Sequence, residues 1–82
     1  MVTVRFFGFI RLQIKINKIQ LAATRLDYLL KLISISYQEI DLKDLKKSVI
    51  LVNGKNIHHL KLFKTKLQDG DIIDIMSPAA GG

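Results

Sequence analysis

Val2, Val4 and Phe6 alternate with Thr3, Arg5 and Phe7, the period of a strand with one face in a core. Gly8 breaks the run. Leu12, Ile14 and Ile16 then alternate with Gln13, Lys15 and Asn17, which predicts a second strand joined to the first as an antiparallel hairpin through residues 8–11. Period two ends near Leu21. Thr24 followed by Asp27 has the spacing of a capping box, a hydroxyl and a carboxylate that satisfy first-turn N–H groups. Leu26, Leu29, Leu30, Ile33 and Tyr37 recur at helical spacing, so a helix is predicted from Arg25 to about Ser36. Residues 38–47 are mixed and charged, with Ile40, Leu42 and Leu45 as anchors, and predict a connection with one short helical turn.

Val49-Ile50-Leu51-Val52 is an unbroken β-branched run, the pattern of a strand buried on both faces. Asn53-Gly54 stops it with residues that tolerate positive φ. Residues 57–63 are irregular and predict a short strand plus a turn. Asp69-Gly70 is a second turn signal, after which residues 71–76 form a last strand. Ile73 and Ile75 share its inner face; Ile72, Asp74 and Met76 share the outer one. Phe7 also falls on an outward parity. Phe7, Ile72 and Met76 are therefore candidates for an apolar docking patch, the alternative being that loops of the same domain cover them. Strands first, one helix in the middle and strands after it make an α+β domain with the helix on one sheet face.

The chain closes on Ser77-Pro78-Ala79-Ala80-Gly81-Gly82. Two terminal glycines bury nothing and cost backbone entropy to order. What they offer is thinness, since a tail without side chains can thread a narrow channel and present its carboxylate. The other reading is a frayed end. Residues 1–76 are expected to form the domain, and 77–82 a flexible tail.

Composition narrows the classes. The 82 residues are 49% hydrophobic, enough for one small core and too apolar for a disordered chain. There is no cysteine, which removes disulfides and thiolate metal sites. Arg5 and Arg11 interrupt the opening apolar residues, so no signal peptide is expected, and no run is long enough to span a membrane. A cytoplasmic protein is the expectation. The net charge of +6 is spread over many lysines interleaved with aspartates, a solvated surface first and a nucleic-acid stripe second. His58 and His59 are adjacent and, on a strand, would face opposite ways, so they do not chelate one metal together. The serines have no neighbouring partners for a triad, and no glycine-rich phosphate loop is present.

Four motifs in order resemble one family, the small sulfur carriers of the molybdopterin-synthase small-subunit (MoaD) and thiamine-pathway (ThiS) group. Phe6-Phe7-Gly8 with Arg11 is similar to the molybdopterin branch's opening Phe-Phe, small residue, and arginine three positions on. Val52-Asn53-Gly54 resembles its central strand and turn, Thr65-x-Leu67-x-Asp69-Gly70-Asp71 its signature before the last strand, and residues 77–82 its Pro-Pro-Val-Ala-Gly-Gly ending. Leu12 stands where an acidic residue is usual, Ser77 where the first tail proline is usual, and the chain is more basic than the family's habit.

The resemblance implies a β-grasp, ubiquitin-like fold with a mixed sheet of four to five strands and one main helix. It implies that a ubiquitin-activating-type adenylyltransferase spends ATP to make an acyl-adenylate at the Gly82 carboxylate, which sulfur converts to a thiocarboxylate. Gly81 and Ala80 would give the tail access, no cofactor would be stably bound, and ATP would belong to the partner. A molybdopterin-synthase large-subunit-like protein would then receive the tail. Rival readings are a ubiquitin-like protein modifier, a thiamine-pathway carrier, and a basic β-grasp RNA-binding module.

Overall fold

The computed structural model describes residues 1–77. Five strands make one sheet in the order β2-β1-β5-β3-β4. They are β1 (Val2–Phe7), β2 (Lys18–Leu21), β3 (Val49–Val52), β4 (Lys55–Asn56) and β5 (Ile72–Met76). The first and last strands lie side by side and parallel at the centre, while β2 on β1, β3 on β5, and β4 on β3 are antiparallel. A parallel pair needs a crossover, and the helical middle of the chain supplies it. This is the expected β-grasp, a mixed sheet gripping one main helix.

That helix is α2 (Leu26–Ser36), and Leu26, Leu29, Leu30 and Ile33 are all fully buried. They meet the inner sheet face, where Val2, Val4, Phe6, Ile50, Ile73 and Ile75 are equally shut off from water. Each such side chain contributes about 1.5–3 kcal/mol by leaving water, so the stripe and the two central strands carry the fold together. Leu45 on α3 (Leu42–Lys47), with Ile40, Ile57 and Leu67 from the connections, closes the rim of the same core.

The structure departs from the sequence expectation in residues 9–21. The predicted second strand over Leu12–Ile16 does not form. Residues Phe9–Ile14 are instead a short helix, α1, and the strand pairing with β1 is Lys18–Leu21. Ile10 and Ile14, four residues apart, are the pair that α1 buries, and Leu12 is 68% exposed. Gly8 at φ 69° turns the chain into this helix and Lys15 at φ 63° turns it out. Residues 57–63 form two 3-10 turns, Ile57–His59 and Leu62–Lys64, in place of the expected strand and turn. His58 and His59 therefore stand on an exposed turn rather than a strand.

Two finer expectations are also corrected. The start of α2 has no side-chain cap; Arg25 is the N-cap residue and Thr24 is exposed. Arg25 is extended and bridges to Lys66, the Leu26 N–H donates to the Thr65 carbonyl, and the Leu67 N–H donates to the Thr24 carbonyl. A neighbouring segment thus satisfies the groups that a capping box would have satisfied. In β3 only Ile50 and Val52 are buried, whereas Val49 and Leu51 are half-buried on the sheet's outer side.

The two turn motifs, distant in sequence, close on each other. Asn53 at φ 52° and Gly70 at φ 89° occupy the left-handed region that each turn requires. The Asn53 N–H donates to the Ile72 carbonyl at 2.7 Å, and the Asn53 side-chain oxygen accepts the Ile72 N–H at 2.9 Å. Asn53 Nδ2 donates to Asp71 at 2.9 Å, and the other Asp71 oxygen accepts the Gln68 N–H at 2.8 Å. This clasp sets where β5 begins, and so where the chain leaves the domain at its far end.

Candidate functional site: the outer sheet face and the tail root

The parallel register places Phe7 opposite Met76, Arg5 opposite Asp74, and Thr3 opposite Ile72. Side chains alternate across a strand, so with Phe6, Ile73 and Ile75 turned inward these pairs share the outer face. Val49 and Leu51 continue that face on β3, opposite Met76 and Asp74. Phe7 is 40% exposed and Ile72 39%, so loops of the domain do not cover them; Met76 is half-buried. The three candidate docking residues are therefore brought onto one surface, with Phe7 and Met76 as immediate neighbours and Ile72 at the opposite end of β5.

Asp74, between the two apolar ends, is buried although it belongs to the outer parity. Arg5 covers it with a two-pronged ion pair, Nε to Oδ1 at 2.5 Å and Nη2 to Oδ2 at 2.8 Å. Hydrogen bonding to this carboxylate, reinforced by its charge, raises the Arg5 guanidinium above its already high ordinary pKa. The same guanidinium lies 5.9 Å from the Phe7 ring centre. The middle of the face is thus a neutralised, internally paired island rather than a free charge.

The chain leaves this face at Ser77, directly after Met76. Ser77 Oγ accepts the Ile10 N–H at 3.0 Å, which ties the root of the tail to the first turn of α1. Gly8 makes room for the tie. Its φ of 69° suits glycine, and a Cβ there would stand 3.2 Å from Ser77 Oγ. Beside the root, Phe9 and Leu12 project from α1 at 62% and 68% exposure. With Gly8, Arg11, Lys15 and Asn17 they line an open groove. Alternation groups Leu12 with Ile14 and Ile16 in a strand, whereas the four-residue spacing of Ile10 and Ile14 is the signal of a helix that turns Leu12 outward. Ala80, Gly81 and Gly82 lie outside the described residues.

The arrangement offers two chemical properties: a polar anchor that fixes the direction of the chain at Ser77, and an apolar rim of Phe7, Phe9, Leu12 and Met76 around that exit. Among the described residues no group of three or more His, Asp and Glu side chains could hold a metal ion. No helix among them is long and apolar enough to cross a membrane.

The family model described as the ThiS family matches residues 4–82. The structure of small archaeal modifier protein 1 from Methanosarcina acetivorans superposes with a TM-score of 0.88 at 26% identity, covering 99% of this chain and 95% of that one. Urm1 from Trypanosoma brucei gives 0.80 at 25% identity over 99% and 94%. A chain of the complex between subunits 1 and 2 of the molybdopterin-converting factor from Helicobacter pylori gives 0.65 at 30% identity over 99% and 97%. No match is found among curated proteins.

Proposed function

The chain belongs to the ThiS family, and on that premise we propose that it is a ubiquitin-like sulfur carrier acting through the Gly82 carboxylate. The observation that carries this reading is the tail root. The central strand β5 ends at Met76, Ser77 is clasped to α1, and Gly81 and Gly82 follow four and five residues beyond that clasp in the sequence. A carboxylate is a poor electrophile. An activating adenylyltransferase would supply ATP; the carboxylate oxygen attacks the α-phosphorus, pyrophosphate leaves, and a sulfide equivalent then displaces AMP to leave the thiocarboxylate. Beyond the reacting carboxylate itself, this reading asks the carrier for no acid, base or nucleophile. Ala80 and Gly81 provide width, because residues with little or no side chain pass a narrow channel.

Phe7, Ile72 and Met76 would dock the activating enzyme and the sulfur-accepting protein in turn. An apolar patch with a neutralised polar centre fits a surface that must bind, release and bind again. The 30% identity to a chain from the Helicobacter pylori converting-factor complex supports a molybdopterin-synthase large-subunit-like acceptor and a place in molybdenum-cofactor synthesis. The reading carries a cytoplasmic location with it, since the activation consumes ATP. A second reading, conjugation of Gly82 to lysines of other proteins, is favoured by the overlap with the archaeal modifier. Both readings share the adenylate. The deciding experiment is the intact mass of the protein after incubation with a cognate activating enzyme, ATP and a sulfide source. Exchange of one oxygen for sulfur at the C-terminus is expected for the carrier, and only adducts to protein lysines for the modifier.

A further inference from the structure

The net charge of this protein comes from one stretch. Residues 45–68 contain Lys46, Lys47, Lys55, Lys61, Lys64 and Lys66 and no Asp or Glu. The remaining seven Lys and Arg are balanced by the seven Asp and Glu elsewhere. All six lysines are exposed, and none takes part in the ion pairs found among the described residues.

The fold gathers these charges. A groove over the two 3-10 turns is lined by His59, Lys61, Lys64 and Lys66, and an adjoining groove shares Lys66 with Lys55. Thr65 is buried beneath the turns, donating to the Leu62 carbonyl and accepting the Lys61 N–H, so their backbone is held in place. The Lys46 ammonium lies 5.9 Å from the Phe63 ring centre, bringing the end of α3 alongside. Beyond Lys46 a third groove carries Arg25, Lys31 and Tyr28. There the Tyr28 ring is 51% exposed with the Arg25 guanidinium 4.3 Å from its centre. The acids bordering these grooves are engaged internally, Asp27 by Arg25 and Asp71 by Asn53.

Collecting like charges on one side raises self-repulsion and local potential, a cost that a polyanion relieves. Ammonium groups are point donors suited to phosphate oxygens, and an exposed aromatic at the end of the track is suited to a base. A stable protein interface would centre on buried apolar and aromatic anchors, whereas the large apolar side chain exposed among these lysines is Leu62. We propose that this surface binds the phosphate backbone of single-stranded nucleic acid. Lys55 lies across from Val52, whose side chain is on the inner sheet face, and the Leu62–Lys64 turn packs with α2. The lysine surface is therefore on the helix side, away from Phe7 and Met76, and can be occupied while the tail is engaged. The inference goes beyond the sulfur-carrier reading and stands or falls without it.

Anisotropy of labelled oligouridylate and of oligothymidylate of equal length, titrated with the full chain between about 50 and 200 mM salt, tests it. Affinity should fall steeply with salt. The triple variant K61Q/K64Q/K66Q should bind about tenfold more weakly, and its log–log salt slope should be shallower by about two, at about 0.7 per lost phosphate contact. The equal charge removal R11Q/K15Q/K18Q, on α1 and β2, should leave both the slope and the affinity near those of the parent. RNA and DNA binding with this lysine dependence both support the proposal, and their ratio says which nucleic acid is preferred. No binding by the parent at the lowest salt, equal losses in the two triple variants, or equal lysine-dependent binding of polyglutamate would overturn it. Melting curves for both variants exclude unfolding, and a thiocarboxylate assay on K61Q/K64Q/K66Q, expected to be unchanged, keeps this result separate from the carrier reading.

Discussion

The outer sheet face and the lysine surface belong to the same small fold yet treat charge in opposite ways. On the outer face the central charge is cancelled: Arg5 grips Asp74 at two points, and the exposed groups at its ends are Phe7 and Ile72. On the helix side Lys46, Lys55, Lys61, Lys64 and Lys66 take part in none of the ion pairs found among the described residues. An apolar face with an internally paired centre has strength that varies little with salt, while a face of free ammonium groups depends on salt steeply. The described residues thereby present two surfaces of opposite character, and perturbations should respect the division.

The change expected to be largest erases the comparison by removing the scaffold under both faces. Leu30 is fully buried between α2 and the sheet, and Leu30→Ala should cost about 2–5 kcal/mol of stability, measured by chemical denaturation. A loss below about 1 kcal/mol would contradict the single shared core. Next, Phe7→Asp combined with Met76→Asp should weaken the complex with the activating enzyme by about 2 kcal/mol or more, as for a central apolar anchor, while nucleic-acid binding stays as it was. Isothermal titration of both partners checks this, and equal weakening of both would show that the surfaces are not separate. Gly8→Ala tests the tie between the faces and the tail. It forces a side chain into a glycine-favoured conformation and against Ser77, at about 1–3 kcal/mol, and sulfur transfer should slow by more than the melting shift explains.

The smallest effect lies at the border of the lysine side. Hydrogen bonds from Arg25 hold the Asp27 carboxyl below its ordinary range, with the Tyr28 N–H assisting. Its folded value is depressed, so the stability it contributes is present above about pH 4, the unfolded carboxylate's value, and is lost as pH falls through the lower folded one. Asp27→Asn should flatten the acid limb of the stability curve and leave the neutral region almost unchanged. A variant with an unaltered acid limb would remove Asp27 from the account.

The parts of this design that rest on local pattern were legible in the sequence. The alternation in β1 and β5 and the Leu26–Ile33 stripe are direct records of burial, and the Asn-Gly and Asp-Gly turns follow from backbone sterics. The parity of Phe7, Ile72 and Met76 placed the outer face correctly. Residues 9–21 were not legible by period, because Leu12, Ile14 and Ile16 satisfy a strand while Ile10 and Ile14 satisfy a helix, and Gly8 decides between them. The start of α2 depends on Thr65, the tail root on Ile10, and the Asn53–Asp71 clasp on a partner 18 residues away. Such partners exist only once the chain has folded. The lysines look scattered as positions, whereas the absence of any acid from residues 45–68 was available in the sequence as a signal.

The central claim is that Gly82 carries the chemistry and the domain only delivers it. The most direct test compares the full chain with a variant lacking Gly82, measuring thiocarboxylate formation by intact mass and stability by thermal melting. Deletion draws the carboxylate back by about 3.3–3.6 Å, and a displacement of about 1 Å is enough to cost a hundredfold in rate. The account predicts an unchanged melting curve and no thiocarboxylate from the shortened chain. Normal thiocarboxylate formation by that chain would contradict it.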